Sequence, residues 1–371
     1  MASVRQDRLL SEFEALVTID SVSLKEREMA DYLKEKLTEL GCEVEEDDGA
    51  QAAGGNAGNV IARFKGTDST RSPILLSAHM DRVTPGVGIR PVREGNIIRS
   101  SGDTILGADD AAGIAIVLEV LRMLRDNRAD HPDIEIVFSF CEEKGLLGAK
   151  ALDKSKLRAK LGYVIDSGGP VNRVVVQSPS HITLDVKIKG RAAHAGVEPE
   201  KGIDAVQVAA RAISQMKLGR IDDETTANLG MISGGRATNI VCDLVEVRGE
   251  ARSMSREKLE RAVASIQETF QESCSAAGAI LEFGSEIEYE TYNISPSSEV
   301  CQRLRKAGEK LGMEMHFVSA GGGSDANIYN AQGIECVVLG AGYFKPHTLE
   351  EYLDIEEFVK SASLVYEVVV A

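Results

Sequence analysis

The sequence predicts an α/β protein in which a mainly parallel, mixed sheet is flanked by helices and interrupted by an inserted ferredoxin-like α+β domain. Two observations predict this fold. Up to residue 178, short apolar runs of strand type alternate with helical stripes, as in open α/β sheets. From 179 to 291 the segments follow the order β-α-β-β-α-β, which is the split ferredoxin-like arrangement. We therefore expect one discontinuous domain formed by residues 1–178 and 292–371, with residues 179–291 inserted into it.

Two helices are predicted to open the chain. The first covers Arg5–Val17, and the second starts at Ser23–Glu26, where Ser and Glu at this spacing indicate a capping box. The apolar spacing in the second helix continues until Gly41, a residue type that commonly ends helices. Val83–Leu106 is rich in Gly, Pro and Arg and predicts an irregular excursion with one hairpin.

The remaining elements of the first domain follow from apolar patterning. A helical stripe begins at Ile114, and Ile134–Cys141 is a continuous β-branched and aromatic run typical of a strand buried on both faces. Further predicted strands are Asn59–Phe64, Ile74–Ala78 and Gly162–Asp166. After the insert we expect helix Val300–Leu311, strand Met315–Val318, a glycine-rich turn at Ala320–Asp325, strand Glu335–Gly340 and a last helix Leu353–Val369.

The inserted domain has its own regular pattern. His181–Lys189 alternates polar and apolar residues, as a half-exposed strand does. The elements expected after it are helix Ile203–Met216, strands Thr226–Ile232 and Ile240–Ala251, helix Arg256–Ala276 and strand Ala279–Tyr289.

Composition and charge exclude several classes of partner. The net charge of -16 argues against nucleic acid and anionic membrane surfaces, because both would be repelled. The first residues lack the uninterrupted apolar core of a signal peptide, and no run is long enough to span a bilayer. The six cysteines are scattered without a Cys-x-x-Cys pair, which favours reduced thiols. We expect a cytoplasmic protein.

Polar side chains follow three of the predicted strands, at the point where each strand ends. In chain order they are His79 and Asp81, then Glu142 and Glu143, then Asp166. Ligands of open α/β sheets bind beyond the carboxyl ends of the strands. These side chains therefore predict one common site.

Gly107–Gly113 places two adjacent acids, Asp109 and Asp110, among small residues directly before a helix. Two neighbouring negative charges are costly to hold together unless a cation lies beside them. Asp109 is therefore a candidate for a carboxylate shared by two metal ions. The alternative is an ordinary helix start, where acids in the first turn interact favourably with the helix dipole.

Glu142 and Glu143 are hard to explain by packing, because they directly follow a buried strand. One could bind a cation while the other keeps a free carboxylate for proton transfer. The alternative is a solvated loop at a strand end. In His79-x-Asp81, the acid could orient a metal-bound histidine, although a surface His-Asp pair is the alternative. His347 lies in a loop after Pro346 and is a further candidate ligand, and the alternative is that it is an ordinary surface histidine.

Five motifs in this order resemble the co-catalytic zinc exopeptidases, a family that includes peptidase T, the glutamate carboxypeptidases and aminoacylases. The motifs are SAHMDRV, GADDAAG, CEEKGLLG, VIDSGG and KPHTLEE. Within the family, the chain is most similar to the peptidase T-like tripeptidases, and the resemblance covers nearly the whole chain. It implies that residues 1–178 and 292–371 form the catalytic domain and that residues 179–291 form a lid.

The resemblance also implies the role of each candidate residue. It implies two Zn²⁺ ions per subunit, with Co²⁺ or Mn²⁺ as alternatives. His79 and Asp166 would hold one ion, and Glu143 and His347 would hold the other. Asp109 would bridge the two ions. Such a mixed nitrogen and oxygen set suits zinc better than calcium. Asp81 would orient His79, Glu142 would be the general base, and the peptide bond between Asp109 and Asp110 would be cis.

In the lid, the resemblance implies that His194 donates to the oxyanion of the tetrahedral intermediate. It implies that Asn239 and Arg252 bind a substrate carboxylate, for which the two-pronged donor geometry of arginine is suited. Outside the lid, the glycine-rich turn that contains Gly323 could offer backbone N–H groups to the substrate. Each has a plainer alternative: His194 could be an ordinary loop histidine and Arg252 a surface charge at a strand end. The glycine-rich turn could be a helix entry capped by Ser324.

The predicted function is hydrolysis of the N-terminal peptide bond of short peptides, with tripeptides as the expected substrates. An N-acyl amino acid deacylase or a carboxypeptidase of the same family is the alternative. A non-catalytic, metal-dependent interaction module is the rival from another class. The resemblance also allows a homodimer formed through the lid domain.

Overall fold

The structure, a computed structural model, describes residues 3–371 as two compact units. The first unit contains the chain up to Gln177 together with Asn293–Ala320 and Ser324–Ala371. The second, called the lid unit below, contains Ser178–Tyr292 and Gly321–Gly323. These boundaries lie one residue from the expected divisions. The exception is Gly321–Gly323, which the sequence assigned to the last segment of the first domain.

Helices and strands are interspersed along the chain. The α-helices are α1 (Gln6–Thr18), α2 (Arg27–Glu39), α3 (Ala108–Asn127), α4 (Leu147–Ala151), α5 (Ala205–Gln215), α6 (Arg256–Ala277), α7 (Glu299–Leu311), α8 (Asp325–Ala331) and α9 (Ile355–Val370). The strands are β1 (Glu43–Glu46), β2 (Val60–Phe64), β3 (Ile74–His79), β4 (Pro91–Glu94), β5 (Ile97–Ser100), β6 (Ile134–Ser139), β7 (Leu161–Ser167), β8 (Arg173–Ser178), β9 (Ser180–Lys189), β10 (Gly219–Arg220), β11 (Thr225–Gly234), β12 (Leu244–Ser253), β13 (Ile280–Tyr289), β14 (Tyr292–Asn293), β15 (His316–Ser319), β16 (Glu335–Gly340), β17 (Tyr343–Phe344) and β18 (Tyr352–Asp354).

The central sheet of the first unit is mixed and mainly parallel, which confirms the predicted fold class. Its strand order is β1-β2-β6-β3-β7-β16-β8-β14, with β15 paired to β8. Strands β6, β3, β7 and β16 run parallel to one another, whereas β1 and β2 pair antiparallel with their neighbours. Strand β8 runs antiparallel to β16 and parallel to β15. Every residue of β3 and β6 is buried, as expected for strands covered on both faces.

Helix α3 is the central helix of this unit and packs against β3, β7, α1 and α9. Its residues from Ala108 to Leu121 are all buried, including the acidic Glu119. Because a buried charge needs a partner, Glu119 is neutralised by Arg8 of α1, whose Nε lies 2.7 Å from Glu119 Oε2. The N-terminal helix is thereby attached to the helix that starts at the predicted site.

The capping box predicted at Ser23 and Glu26 does not form, and α2 begins only at Arg27. The Ser23 hydroxyl instead donates to Asp81 Oδ2 at 2.6 Å. The buried Glu26 carboxylate accepts the backbone N–H groups of Leu24 and Cys141, at 2.7 and 3.1 Å. The prediction was wrong because both side chains have tertiary partners that the local sequence does not reveal.

The predicted hairpin is present as β4 and β5, and it belongs to a separate sheet of order β17-β18-β5-β4. Leu353, which the sequence assigned to the last helix, pairs with Ile98 in this sheet. Asp354 ends the strand and caps α9, because its side chain accepts the backbone N–H groups of Glu356 and Glu357. The last helix therefore starts two residues later than predicted.

The lid unit has the predicted β-α-β-β-α-β order, with the two-residue β10 added. Its antiparallel sheet has the order β10-β11-β12-β9-β13, and β9 alternates buried with less buried residues. Helices α5 and α6 pack on this sheet and on each other. Strand β12 begins at Leu244 rather than Ile240, because Val241 donates its N–H to the carbonyl of Ala193 at 3.0 Å.

Within residues 3–371, none of the helices combines the length and apolar character that crossing a bilayer requires.

Candidate metal centre

Three adjacent parallel strands bring the predicted residues to one edge of the central sheet. Strand β3 lies between β6 and β7 and ends at His79. Asp166 is the next-to-last residue of β7, and the chain after β6 continues through Cys141 to Glu142. The carboxyl ends of these strands therefore meet, as the positions of the polar residues in the sequence predicted.

The start of α3 adds the two central acids to this edge. Asp109 and Asp110 have ψ angles of 99° and 33°, so neither lies in a regular first helical turn. The alternative of an ordinary helix start is therefore wrong. The peptide bond between the two acids is cis, as the resemblance implied.

The first cluster of ligand-type atoms consists of His79, Asp109 and Asp166. His79 Nε2 lies 3.1 Å from Asp109 Oδ1 and 3.7 Å from Asp166 Oδ1. One side-chain atom from each of the three residues lies within 4.8 Å of the other two. The cluster is nearly closed to solvent, because the His79 side chain is only 2% exposed.

The second cluster consists of Asp109, Glu143 and His347. His347 Nε2 lies 2.8 Å from Glu143 Oε1 and 3.3 Å from Asp109 Oδ2. The two carboxylate oxygens of Asp109 thus face different histidines. This cluster is more open, since the His347 side chain is 50% exposed.

Asp81 contacts His79 mainly through its backbone. His79 Nδ1 lies 2.9 Å from the Asp81 carbonyl oxygen and 3.5 Å from the carboxylate. A carbonyl oxygen can only accept, so Nδ1 carries the proton and Nε2 offers its lone pair to the cluster. The Asp81 carboxylate instead accepts the backbone N–H groups of Glu142 and Glu143, at 2.8 and 3.4 Å. Asp81 therefore fixes the turn that carries both glutamates.

Two turns at the site use left-handed backbone that non-glycine residues rarely adopt. Cys141, directly before Glu142, has a φ of 48°, and His347 has a φ of 62°. Such conformations persist only where the surroundings enforce them, and they are common at functional sites. Glu142 is buried, and its carboxylate belongs with His79 and Glu143 to a third group of atoms within 4.8 Å.

Burial dominates the electrostatics of these acids. It raises the pKa of Glu142 well above the usual value, and the charge of Asp166 adds to the effect. Burial also raises the pKa of Asp166 to about 7, although His79 opposes this shift. The hydrogen bonds of His347 to Asp109 and Glu143 raise its pKa to about 10. The acids and histidines thus form one strongly interacting set.

Three residues whose contacts the sequence did not predict touch the predicted ligands directly. The Asp110 carboxylate accepts the backbone N–H groups of His79 and Gly113. Glu351 accepts the N–H groups of Gly107 and Asp109, at 2.8 and 3.1 Å. Tyr343 donates to both Asp109 and Asp166. Asp110 belongs to the GADDAAG motif and Glu351 to the KPHTLEE motif, and Tyr343 lies just before the latter. No spacing rule indicates where these three side chains point.

The donor set fits a pair of divalent ions. It offers two imidazole nitrogens and three carboxylates, arranged as two clusters that share one carboxylate. Imidazole and carboxylate ligands suit zinc and similar borderline ions. Among the residues that the structure describes, these clusters contain all five of the ligands that the resemblance implied.

Comparison with known proteins places the chain in a family. Residues 75–371 match the model for peptidase family M20/M25/M40. The chain belongs to this family. It is 43% identical to the uncharacterized protein YqjE of Bacillus subtilis, over 99% of this chain and 98% of that protein.

Two solved structures resemble this M20-family chain over almost its whole length. The aminopeptidase PepT of Bacillus cereus is 42% identical, with a TM-score of 0.91, and the alignment covers 99% of this chain and 98% of that one. A tripeptidase of Staphylococcus aureus is 38% identical, with a TM-score of 0.94 and the same coverage. The family and these relatives identify the chain as a peptidase-type hydrolase similar to peptidase T.

In the lid unit of this M20-family protein, His194 and Asn239 lie on adjoining segments. Ala195 donates its N–H to the carbonyl of Asn239 at 3.0 Å, and His194 forms a β-bridge with Ile240. The N–H of Gly196 donates to His194 Nδ1 at 3.1 Å. In the neutral ring Nε2 therefore carries the proton, so the exposed edge of His194 is a hydrogen-bond donor.

Arg252 lies near the glycine-rich turn within the same unit. Its Nε and Nη2 donate to the two carboxylate oxygens of Glu250, at 3.1 and 3.0 Å, and Nη1 donates to Tyr289 Oη at 3.2 Å. A Cβ built on Gly322 would lie 3.7 Å from Arg252 Nη1. Arg252 is therefore held in place by partners of its own, unlike a free surface charge.

The glycine-rich turn is a helix entry, as the plainer alternative predicted. Ser324 caps α8 by accepting the N–H of Ala326, and the side chain of Asn327 completes a capping box. At Gly323 a Cβ would lie 2.3 Å from the ring of Tyr289, so the close packing of that ring requires glycine. This packing explains Gly323 without a substrate, and its role in binding stays a prediction.

Proposed function

We propose that this M20-family hydrolase is a dinuclear zinc aminopeptidase that removes the N-terminal residue of short peptides, above all tripeptides. The names of the two similar solved structures, an aminopeptidase and a tripeptidase, support this choice of substrate. Co²⁺ and Mn²⁺ are alternatives to zinc, because nitrogen and oxygen ligands also accept them.

One observation carries the proposal. Asp109 Oδ1 lies 3.1 Å from Nε2 of His79, while Asp109 Oδ2 lies 3.3 Å from Nε2 of His347. A carboxylate whose two oxygens each meet a different histidine is suited to bridge two ions. His79 and Asp166 would hold one ion, and Glu143 and His347 would hold the other.

When bound, a pair of divalent ions lowers the pKa of a water molecule and polarises the scissile carbonyl. Glu142 takes a proton from the attacking water as the new carbon–oxygen bond forms. Glu142 then gives that proton to the amine nitrogen as the carbon–nitrogen bond breaks. Burial suits this shuttle, because it raises the pKa of Glu142 and so favours uptake of the proton. Asp81 keeps Glu142 in place through the hydrogen bond to its backbone N–H.

The lid unit would supply the remaining groups. His194 would donate from Nε2 to the oxyanion, and Asn239, on the adjoining segment, would bind the substrate beside it. Arg252 would bind the C-terminal carboxylate of the peptide through the N–H groups of Nη1 and Nη2 that Glu250 and Tyr289 do not use. Gly323, which follows Gly322 in the turn near Arg252, would contribute its backbone N–H.

The decisive experiment is a tripeptide library assayed with added Zn²⁺ and read by mass spectrometry, with N-acetylated amino acids in parallel. Release of the N-terminal residue is the expected result. Release of the C-terminal residue would indicate a carboxypeptidase, and cleavage of the acetylated amino acids alone would indicate a deacylase. Absence of hydrolysis with either zinc or cobalt would favour a non-catalytic interaction module.

We also propose that the partners are short peptides and a second copy of the chain, and that nucleic acid and membranes are not partners. The lid unit exposes large apolar side chains at Met231 and Ile232 on β11 and at Ile280 on β13. Strand β10 pairs with β11 only at Thr226 and Ala227, so the part of β11 that carries Met231 and Ile232 is an edge strand. An exposed edge strand with large apolar side chains supports an interface through the lid. Sedimentation velocity should show a dimer, and Met231→Lys combined with Ile232→Lys should shift it towards monomer.

A further inference from the structure

The phenol of Tyr343 lies between two of the proposed metal ligands. Tyr343 Oη donates to Asp109 Oδ1 and to Asp166 Oδ1, each at 3.2 Å. The residue is only 1% exposed, so water does not compete strongly for this hydroxyl. At neutral pH a tyrosine is protonated and has one hydrogen to share, which makes it a donor to both carboxylates.

Several contacts fix the ring in this position. Tyr343 pairs with Leu353 in the small sheet, and its carbonyl accepts the N–H of Gly169 at 2.8 Å. Gly168 lies against the ring, because a Cβ built there would be 3.2 Å from Tyr343 Cε2. Strand pairing with Leu353 and the contacts with Gly168 and Gly169 therefore hold Tyr343 in place, so the position of its hydroxyl does not depend on the two carboxylates.

The two halves of the centre are supported unequally. The oxygens that Tyr343 contacts, Asp109 Oδ1 and Asp166 Oδ1, are the ones that face His79. On the other side, Asp109 Oδ2 and Glu143 Oε1 face His347, whose side chain is half exposed. The phenol of Tyr343 thus contacts two proposed ligands of the ion on the His79 side. Of the proposed ligands on the His347 side it contacts Asp109 alone, through Oδ1, which is the oxygen that does not face His347.

We propose that Tyr343 is a positioning residue that sets the affinity of the ion on the His79 side and leaves the ion on the His347 side nearly unaffected. This inference rests on the proposed dinuclear site. The two carboxylates repel each other, and a fixed donor between them holds both near the geometry that an ion requires. Residues that hydrogen bond to metal ligands typically contribute 10- to 100-fold in metal affinity.

The test is Tyr343→Phe, which keeps the ring and removes only the hydroxyl. The matched control is Tyr329→Phe, because Tyr329 is equally buried and its hydroxyl contacts Ser77, at 3.0 Å, rather than a ligand. Competition with a chromophoric chelator should show one of the two zinc affinities weakened ~10-fold or more in Tyr343→Phe. The other affinity should stay unchanged, as should both affinities in Tyr329→Phe.

A second pair of variants assigns the weakened ion to its side. In a His347→Ala background, which removes a ligand of the other ion, Tyr343→Phe should still weaken the remaining ion. Equal weakening of both ions, or no weakening, would overturn the role of Tyr343 and leave the dinuclear site intact. A wild-type protein that binds fewer than two ions would contradict the proposed function itself.

Discussion

At the scale of single residues, the proposed function gives the two adjacent glutamates different tasks, proton transfer for Glu142 and metal binding for Glu143. Glu143 Oε1 lies 2.8 Å from His347 Nε2 and Glu143 belongs to a cluster with Asp109 and His347, whereas the cluster that contains Glu142 includes His79 and Glu143 but not His347. Both backbone N–H groups donate to Asp81, so one buried acid sets the direction of both side chains. This anchoring by Asp81 allows a proposed general base, Glu142, and a proposed metal ligand, Glu143, to be adjacent in the chain while each keeps its own position.

Glu142→Gln should abolish turnover and leave two metal ions bound. Glutamine keeps the size of the side chain but cannot take a proton from water, and loss of a general base typically costs ~10²–10⁴-fold in rate. The measurements are kcat on a tripeptide and the metal content by elemental analysis. Glu143→Gln is the matched control and should lose an ion. Loss of metal from Glu142→Gln would show that the base has been misassigned.

At the scale of secondary-structure elements, β12 carries a predicted substrate contact on one face. Arg248, Glu250 and Arg252 alternate along this strand and share a face. Arg252 is held by Glu250 and Tyr289, whereas the ion pair of Arg248 is with the exposed Asp185, at 3.6 Å. The strand therefore offers one fixed and one loosely held arginine of equal charge.

Arg252→Ala should raise KM for peptides with a free C-terminal carboxylate far more than for the same peptides with an amidated C-terminus. We expect KM for the free-carboxylate peptides to rise ~10- to 100-fold, because the loss of a hydrogen bond between charged groups typically has an effect of this size. Steady-state kinetics on the two peptide series measures the difference. Arg248→Ala, which removes the same charge from the same face, should change neither series. Equal effects of Arg252→Ala on both series would exclude Arg252 from carboxylate binding.

The start of α2 should make stability depend on pH. Burial raises the pKa of Glu26 from 4.5 to about 7, and the charge of Asp81 adds to this shift. Because the folded state binds the proton more tightly than the unfolded state, the stability this group contributes is full at acid pH and is lost as pH rises through about 7. From about pH 6 to about pH 8, Glu26 alone should lower the free energy of unfolding by about 1.4 kcal/mol.

Urea unfolding of metal-free protein at these two pH values, followed by circular dichroism, measures this loss. Between these pH values the free energy of unfolding of Glu26→Gln should fall by about 1.4 kcal/mol less than that of wild type. Glu28→Gln, an exposed position in the first turn of the same helix, should keep the wild-type decrease. An identical decrease in Glu26→Gln and wild type would contradict the prediction.

Most of the site could be predicted from sequence because strand ends are marked locally. An apolar run that ends in His79, Glu142 or Asp166 indicates both the strand and the edge where its polar residue lies. Ser23, Glu26 and Leu353 were misread, because their partners Asp81, Cys141 and Ile98 are far away in the chain. Tyr343 was missed for a similar reason, since a hydroxyl in the sequence does not show which carboxylates it will reach.

At the scale of the whole molecule, the proposed metal ligands all belong to the first unit, although they come from two of its three segments, the one that ends at Gln177 and Ser324–Ala371. His79, Asp109, Glu143 and Asp166 precede the lid unit in sequence, and His347 follows it. The net charge of -16 includes the carboxylates buried at this site. Binding of cations should therefore stabilise the fold of the first unit and connect the two segments that supply its ligands.

Added zinc should raise the thermal unfolding temperature of the protein, because ions that bind only the folded state stabilise it. At 100-fold excess over the dissociation constant, one site contributes ~2.7 kcal/mol, which corresponds to a rise of ~5–10 °C for a unit of this size. Differential scanning calorimetry of chelator-treated protein, with and without zinc, measures the rise. Asp109→Ala should abolish most of it, because both clusters share that carboxylate, whereas Asp126→Ala removes an exposed acid of α3 and should keep it. A full rise in Asp109→Ala would show that zinc stabilises the protein from some other site.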